Sequence, residues 1–134
     1  MFVLGEEIEM KIGLHALIVD DVDYMREMIK SMLYNIGISN TSQSSDGRDA
    51  LHLIRTMHFD IVLLDLIMPD MDGLEVLKEI RADEKIANTK IILITAAADC
   101  KTIMAARSKE TRVDAVIVKP FSILTLRKKI SQLL

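Results

Sequence analysis

Four apolar runs in this 134-residue chain end on polar residues suited to handling a phosphoryl group. His15-Ala16-Leu17-Ile18-Val19 runs into Asp20-Asp21, and Ile61-Val62-Leu63-Leu64 runs into Asp65. Ile91-Ile92-Leu93-Ile94 stops at Thr95, and Ala115-Val116-Ile117-Val118 stops at Lys119-Pro120. Short, nearly continuous Val/Ile/Leu runs fit central strands of a parallel sheet covered by helices on both faces. Such sheets bind ligands beyond the carboxyl ends of their strands, near a topological switch point. The four endings therefore converge on one site holding three carboxylates, a hydroxyl and an ammonium.

Three neighbouring carboxylates repel: unit charges about 4 Å apart at an effective dielectric near 20 cost roughly 4 kcal/mol per pair before solvent and ions relax them. A divalent cation removes that cost. Magnesium suits the donors, since it takes oxygen ligands, keeps several waters and is held by one or two carboxylates plus a phosphate. Thr95 then offers a hydroxyl to a phosphoryl oxygen and Lys119 a positive charge. A carboxylate can itself be the nucleophile, forming an acyl phosphate. Replacing Asp20 or Asp21 with Ala is accordingly expected to raise the melting temperature of the metal-free protein.

The elements that must position these groups alternate strictly. Met25, Met28, Ile29, Met32, Leu33 and Ile36 repeat at helical spacing, and Gly37 stops that helix. A polar strand around residues 41–44 precedes the turn Asp46-Gly47, and Ala50, Leu51, Ile54 and Met57 stripe a second helix. The loop Met68-Pro69-Asp70-Met71-Asp72-Gly73 leads into a third helix carrying Leu74, Leu77 and Ile80, with Asp72 as its cap. A fourth helix is expected at about residues 100–109, with Ile103 and Met104 its only large apolar residues. Ser122 caps a fifth, striped by Ile123, Leu126, Ile130 and Leu133. Five strand–helix units in alternation imply one α/β domain with right-handed crossovers.

Composition narrows the function classes. The length suits one domain with a sizeable core. A formal net charge of −3 gives no basic footprint for nucleic acid. The single Cys100 cannot form an internal disulfide and suits a reducing cytoplasm. Phe2-Val3-Leu4 is too short an apolar run for a signal peptide or membrane span, and Glu6, Glu7 and Glu9 follow it. Residues 1–11 read as a flexible N-terminal extension, with Met10-Lys11 a possible natural start, and residues 12–134 as the domain. His15, His52 and His58 lack metal-ligand spacing. The first-helix methionines read as core filling, Cys100 as structural, and Arg127-Lys128-Lys129 as a solvated helix face.

The segments LIVDD at 17–21, LLDLIMPDMDG at 63–73, ILITA at 92–96 and IVKPF at 117–121 together resemble the receiver domain of two-component response regulators, in order along almost the whole chain. The first helix and the Asp46-Gly47…Ala50-Leu51 segment look most like the stand-alone chemotaxis subgroup. The resemblance implies a flavodoxin-like (βα)5 fold, a doubly wound parallel five-stranded sheet of order 2-1-3-4-5. It implies Asp65 as phospho-acceptor and Mg2+ as cofactor. Asp21, Asp65 and the backbone carbonyl of Ile67 would be direct metal ligands, with Asp20 acting mainly through water. Thr95 would be the switch hydroxyl, Lys119 its partner, Ala96 the small residue leaving the phosphoryl site open, and Lys119-Pro120 the family's cis peptide. The donor would be a phosphohistidine on a sensor histidine kinase, and the output a downstream protein met through the fourth helix, fifth strand and fifth helix. A cytoplasmic monomer or weak dimer is expected. No effector sequence follows the last helix, so output is expected through protein contact.

Two departures bear on mechanism. Val116 stands where chemotaxis receivers often carry an aromatic residue, so a threonine-to-aromatic switch cannot operate in that form. Ile67 and Ala97 stand where faster-hydrolysing relatives often carry polar side chains. A phosphorelay carrier, handing its phosphoryl group to a histidine phosphotransfer protein, is therefore the alternative. An aspartate-nucleophile phosphatase of the haloacid dehalogenase type is disfavoured: Ile67, two residues after Asp65, cannot serve as general acid, and the acidic pair precedes the nucleophile. Taken alone, Asp20-Asp21 reads as a solvated loop pair; Asp65, Thr95 and Lys119 give it meaning.

Overall fold

The computed structural model describes residues 13–96 and 100–134, Cys100 in its backbone only. The expected extension at residues 1–11, Ala97 and the Cys100 side chain lie outside the described residues. The apolar runs form β1 (His15–Val19), β3 (Ile61–Asp65), β4 (Ile91–Thr95) and β5 (Ala115–Val118), and the polar stretch forms β2 (Asn40–Ser44). All pairings are parallel, in the order β2-β1-β3-β4-β5, with Ala16 opposite Ile61, Val62 opposite Ile91 and Ile92 opposite Ala115. The chain moves outward from β1 to β2, then returns past β1 to β3. The winding therefore reverses between the strands that end in Asp20 and Asp65, which opens a crevice there.

The helices are α1 (Asp23–Asn35), α2 (Gly47–Thr56), α3 (Gly73–Ala82), α4 (Cys100–Ala106) and α5 (Ile123–Leu133). Alternation along each strand divides the core. Ala16, Ile18, Leu63, Ile92 and Ile94 face Ile29 and Leu33 of α1 and Leu126 and Ile130 of α5. Leu17, Val19, Val62, Leu64 and Leu93 face Ala50, Leu51 and Ile54 of α2, Val76, Leu77 and Ile80 of α3, and Ala106 of α4. Full burial of one such side chain contributes about 1.5–3 kcal/mol, so both faces of the central strands are held strongly. Among the described residues no helix is long and apolar enough to cross a membrane.

Helix starts follow the sequence signals. Asp46 accepts from the Asp49 N–H at 2.8 Å, Asp72 from Glu75 at 2.9 Å and Ser122 from Thr125 at 3.2 Å. Gly37, at φ +99°, ends α1 in a conformation other residues rarely adopt. Of the first-helix methionines, Met25 is core, Met32 packs against it and Met28 is exposed.

The expected fourth helix stops earlier, at Ala106. Thr111 is buried and its hydroxyl donates toward the carbonyls of Ala105 (2.6 Å) and Ala106 (2.7 Å), while the Val113 N–H takes Ala106 again at 3.0 Å. Those bonds satisfy the last carbonyls and turn the chain toward β5. Nearby, the Arg81 guanidinium, 5% exposed, donates to the carbonyls of Ala87, Thr89, Thr111 and Arg112 and to Asp114 Oδ2 at 3.1 Å. Asp114 Oδ2 also accepts from the Ile91 N–H at 2.8 Å, tying α3 to the start of β4. Burial pushes the Arg81 pKa down and Asp114 opposes that shift.

Candidate functional site

The carboxyl ends of β1, β3, β4 and β5 meet at one end of the sheet. Asp20, 1% exposed, follows β1, and its amide donates to the Ser44 carbonyl of β2 at 3.2 Å. Its two oxygens do different work: Oδ1 accepts from the Val22 N–H at 2.9 Å and Oδ2 faces Lys119 Nζ at 3.1 Å. The first bond stands in for a side-chain cap at the start of α1, since Val22 has none to offer. Asp21 is exposed at the mouth of the crevice.

Asp65 ends β3 and is buried. Gly73 is what lets α3 start against it. A Cβ at position 73 would lie 2.5 Å from the Asp65 carbonyl oxygen and 2.8 Å from the Leu66 Cα, closer than any side chain can approach. The Gly73 N–H instead donates to the Leu66 carbonyl at 2.7 Å, which closes the β3–α3 loop. In that loop Asp70 adopts φ +67°, and Ile67, 60% exposed, points outward beside Asp65. Thr95, 0% exposed, ends β4, and its carbonyl accepts the Lys119 N–H at 2.8 Å. Ala96 follows it at the surface, and the Lys119–Pro120 bond is cis.

The carboxylates of Asp20, Asp21 and Asp65 each present an oxygen within 4.8 Å of the others. Lys119 reaches into the same cluster, 3.1 Å from Asp20 Oδ2 and 3.5 Å from Asp65 Oδ1. Burial, reinforced by the Asp20 charge, raises the Asp65 pKa; Lys119 and a backbone hydrogen bond from Ile67 pull it back. This arrangement revises one expectation. Lys119 already offsets part of the carboxylate repulsion, and Asp20 holds both Lys119 and the Val22 amide. Removing Asp20 therefore strands a lysine and an amide instead of simply relieving charge.

The donor set fits a hard divalent cation. Three carboxylates converge, one of them exposed and so accessible from solvent, and burial leaves Asp65 short of compensation that a cation supplies. A carboxylate buried beside an ammonium, as Asp65 is, has the chemistry of a nucleophile. Asp72 is spent as the α3 cap, and the histidines take no part: His15 bonds Ser42 at 2.8 Å and packs on Phe59, while His52 and His58 are exposed.

A residue of the first-helix segment that carries the chemotaxis resemblance also lies close to the site, though the sequence assigns it no role there. Arg26, on the first turns of α1, donates from Nη1 to the Asp20 carbonyl at 2.7 Å.

Comparison with known proteins agrees with this geometry. The family model for the response regulator receiver domain matches residues 16–131. The chain is 39% identical over 121 residues to the chemotaxis protein CheY-3 of Vibrio cholerae, covering 90% of this chain and 92% of that one. It is 36% identical over 117 residues to the chemotaxis protein CheY of Pseudomonas aeruginosa, covering 87% and 93%. Among solved structures, CheY4 of Vibrio cholerae superposes with a TM-score of 0.82 at 29% identity, covering 90% of this chain and 98% of that one. The response regulator TrrA of Thermotoga maritima, in complex with Mg2+-BeF, superposes with a TM-score of 0.79 at 33% identity, covering 90% and 99%.

Proposed function

The chain belongs to the response regulator receiver domain family, and we propose that it accepts a phosphoryl group on Asp65 from a phosphohistidine of a sensor histidine kinase and thereby switches its binding to a downstream protein. The observation that carries this reading is the meeting of Asp20, Asp21 and Asp65 within 4.8 Å with Lys119 reaching in from β5. An Asp65 carboxylate oxygen attacks phosphorus, a P–O bond forms, the P–N bond to the kinase imidazole breaks, and the imidazole leaves with the electron pair. Lys119 stands where negative charge gathers on the phosphoryl oxygens, and the Thr95 hydroxyl takes one of those oxygens once transfer is complete. Ala96, small and at the surface, leaves the approach open.

Asp21, Asp65 and the carbonyl of Ile67 would hold Mg2+, with Asp20 acting through water. Both oxygens of Asp20 already have protein partners, which supports its indirect part. When bound, the cation supplies neutralising charge and orients the phosphoryl oxygens.

Output through α4, β5 and α5 is supported by exposed Met104, Val118 and Leu124, one on each of these elements. A chemotaxis-type role is supported by the likeness to the two chemotaxis proteins, and the protein is read as a cytoplasmic monomer or weak dimer. The second reading, a phosphorelay carrier, is favoured by Val116, since a carrier need not run a threonine-to-aromatic switch. Phosphotransfer profiling against purified kinases and histidine phosphotransfer proteins separates the two. Capture of a partner by the beryllofluoride-loaded protein only supports the switch. Fast, reversible exchange with a phosphotransfer protein, without beryllofluoride-dependent capture, supports the carrier.

A further inference from the structure

Arg26 lies on the first turns of α1, and its side chain is 13% exposed despite its charge. Its guanidinium is fixed on two sides. Nε donates to Gln43 Oε1 of β2 at 3.0 Å, and Nη2 pairs with Asp23 in the first turn of α1. Gln43 is itself held, its amide donating to Glu27 Oε1 at 3.1 Å. Nη1 is thereby presented to the carbonyl oxygen of Asp20, 2.7 Å away.

That carbonyl belongs to the peptide unit joining Asp20 to Asp21. A peptide unit is planar, so fixing its oxygen fixes the orientation of the next amide and the Asp21 Cα. Asp20 has its own anchors, through Val22 and Lys119, whereas Asp21 is exposed. A planar guanidinium with several donors can hold this carbonyl and two other groups at once, which a lysine ammonium on its flexible stem cannot do in the same geometry. We infer that Arg26 is a positioning residue for the cation site: anchored on β2 and α1, it locks the Asp20–Asp21 peptide so that the exposed Asp21 carboxylate stays turned toward Asp20 and Asp65. The inference rests on the reading of the acidic cluster as a magnesium site.

The test measures Mg2+ affinity of the full chain by calorimetric titration, together with the Mg2+ dependence of phosphorylation by acetyl phosphate. Partners that orient metal ligands typically contribute 10–100-fold in metal affinity, so Arg26→Ala should weaken Mg2+ binding by about tenfold. Its phosphorylation rate should recover toward wild type at saturating Mg2+, because the nucleophile is untouched. Arg26→Lys and Gln43→Leu should fall in between. Arg81→Lys, in the buried network at the other end of the sheet, is the control for general loosening: it should lower the melting temperature and leave the Mg2+ constant unchanged. An Arg26→Ala protein within twofold of wild-type affinity overturns the inference, as does an equal loss in Arg81→Lys. A wild-type protein that binds no Mg2+ overturns the underlying site reading as well.

Discussion

Lys119 and Asp20 stand 99 positions apart in the chain, and their charged ends meet at 3.1 Å, with Asp65 Oδ1 a further contact of the same ammonium at 3.5 Å. The metal-free cluster is thus a partly compensated set of charges. Its behaviour depends on which member is removed.

Removing the ammonium leaves two buried carboxylates without their counter-charge. Breaking a fully buried pair costs roughly 3–5 kcal/mol, and Lys119 is partly exposed, so Lys119→Ala should cost about 1–3 kcal/mol in metal-free protein. Urea unfolding with a chelator present measures this. An unchanged midpoint would show that solvent already screens the cluster.

The pH dependence follows from the raised Asp65 pKa, which burial causes first and the Asp20 charge second. A carboxyl whose folded pKa lies above its unfolded value of 3.8 imposes no cost below that value, where both states are protonated. As pH rises through the folded pKa, stability is lost, and the loss is complete above it. Asp65→Asn should therefore be more stable than wild type at neutral pH without metal, and the difference should shrink as pH falls toward 3.8. Thermal melts across that range decide the matter; a difference independent of pH would assign it to packing instead of ionisation.

Gly73 separates backbone fit from side-chain chemistry. Gly73→Ala places a Cβ 2.5 Å from the Asp65 carbonyl, so either α3 or the end of β3 must shift. Overpacking of this kind costs about 1–3 kcal/mol, and the shift should also slow phosphorylation because Asp65 moves with its backbone. A variant of wild-type stability and rate would contradict the close approach.

Lifetime tests the two apolar neighbours of the acceptor. Hydrolysis of an acyl phosphate needs a water held in line with the leaving carboxylate. Ile67 is exposed beside Asp65 and cannot hydrogen-bond a water; Ala97, the other position assigned to that task, lies outside the described residues. If positioning of that water is worth at least 1.4 kcal/mol, phospho-Asp65 should outlast that of a rapid chemotaxis switch by about tenfold or more. Asn at position 67 and Glu at 97, introduced together, should shorten it. A wild-type half-life of seconds, or an unaccelerated double variant, would reject this account.

The parts of the fold legible in the sequence are those with local causes. Continuous apolar runs mark four strands, and Asp72 and Ser122 mark helix starts through hydrogen bonds to residues three positions on, whereas Asp46, legible only as part of a turn, caps its helix in the same way. The edge strand β2 is legible only from its flanking turn, because Asn40–Ser44 buries little and carries no apolar pattern. The end of α4 is not legible, because its cap, Thr111, acts from beyond the helix through a buried hydroxyl. Arg81 carries no signal in the sequence, because the four carbonyls and Asp114 that surround it come together only on folding. The acidic cluster was visible as strand endings. The contacts of Lys119 with Asp20 and Asp65, and that of Arg26 with the Asp20 carbonyl, were not, since each requires the folded geometry to be known.

The central claim is that Asp65 is the only residue that takes the phosphoryl group and that it needs the cation to do so. Intact-mass measurement after incubation with acetyl phosphate tests it directly, and suits a chain without tryptophan. The account predicts one added phosphoryl group on the wild-type protein with Mg2+, and none on Asp65→Asn or on wild type with all metal chelated. A modified Asp65→Asn protein, or wild-type modification that survives chelation, would contradict it.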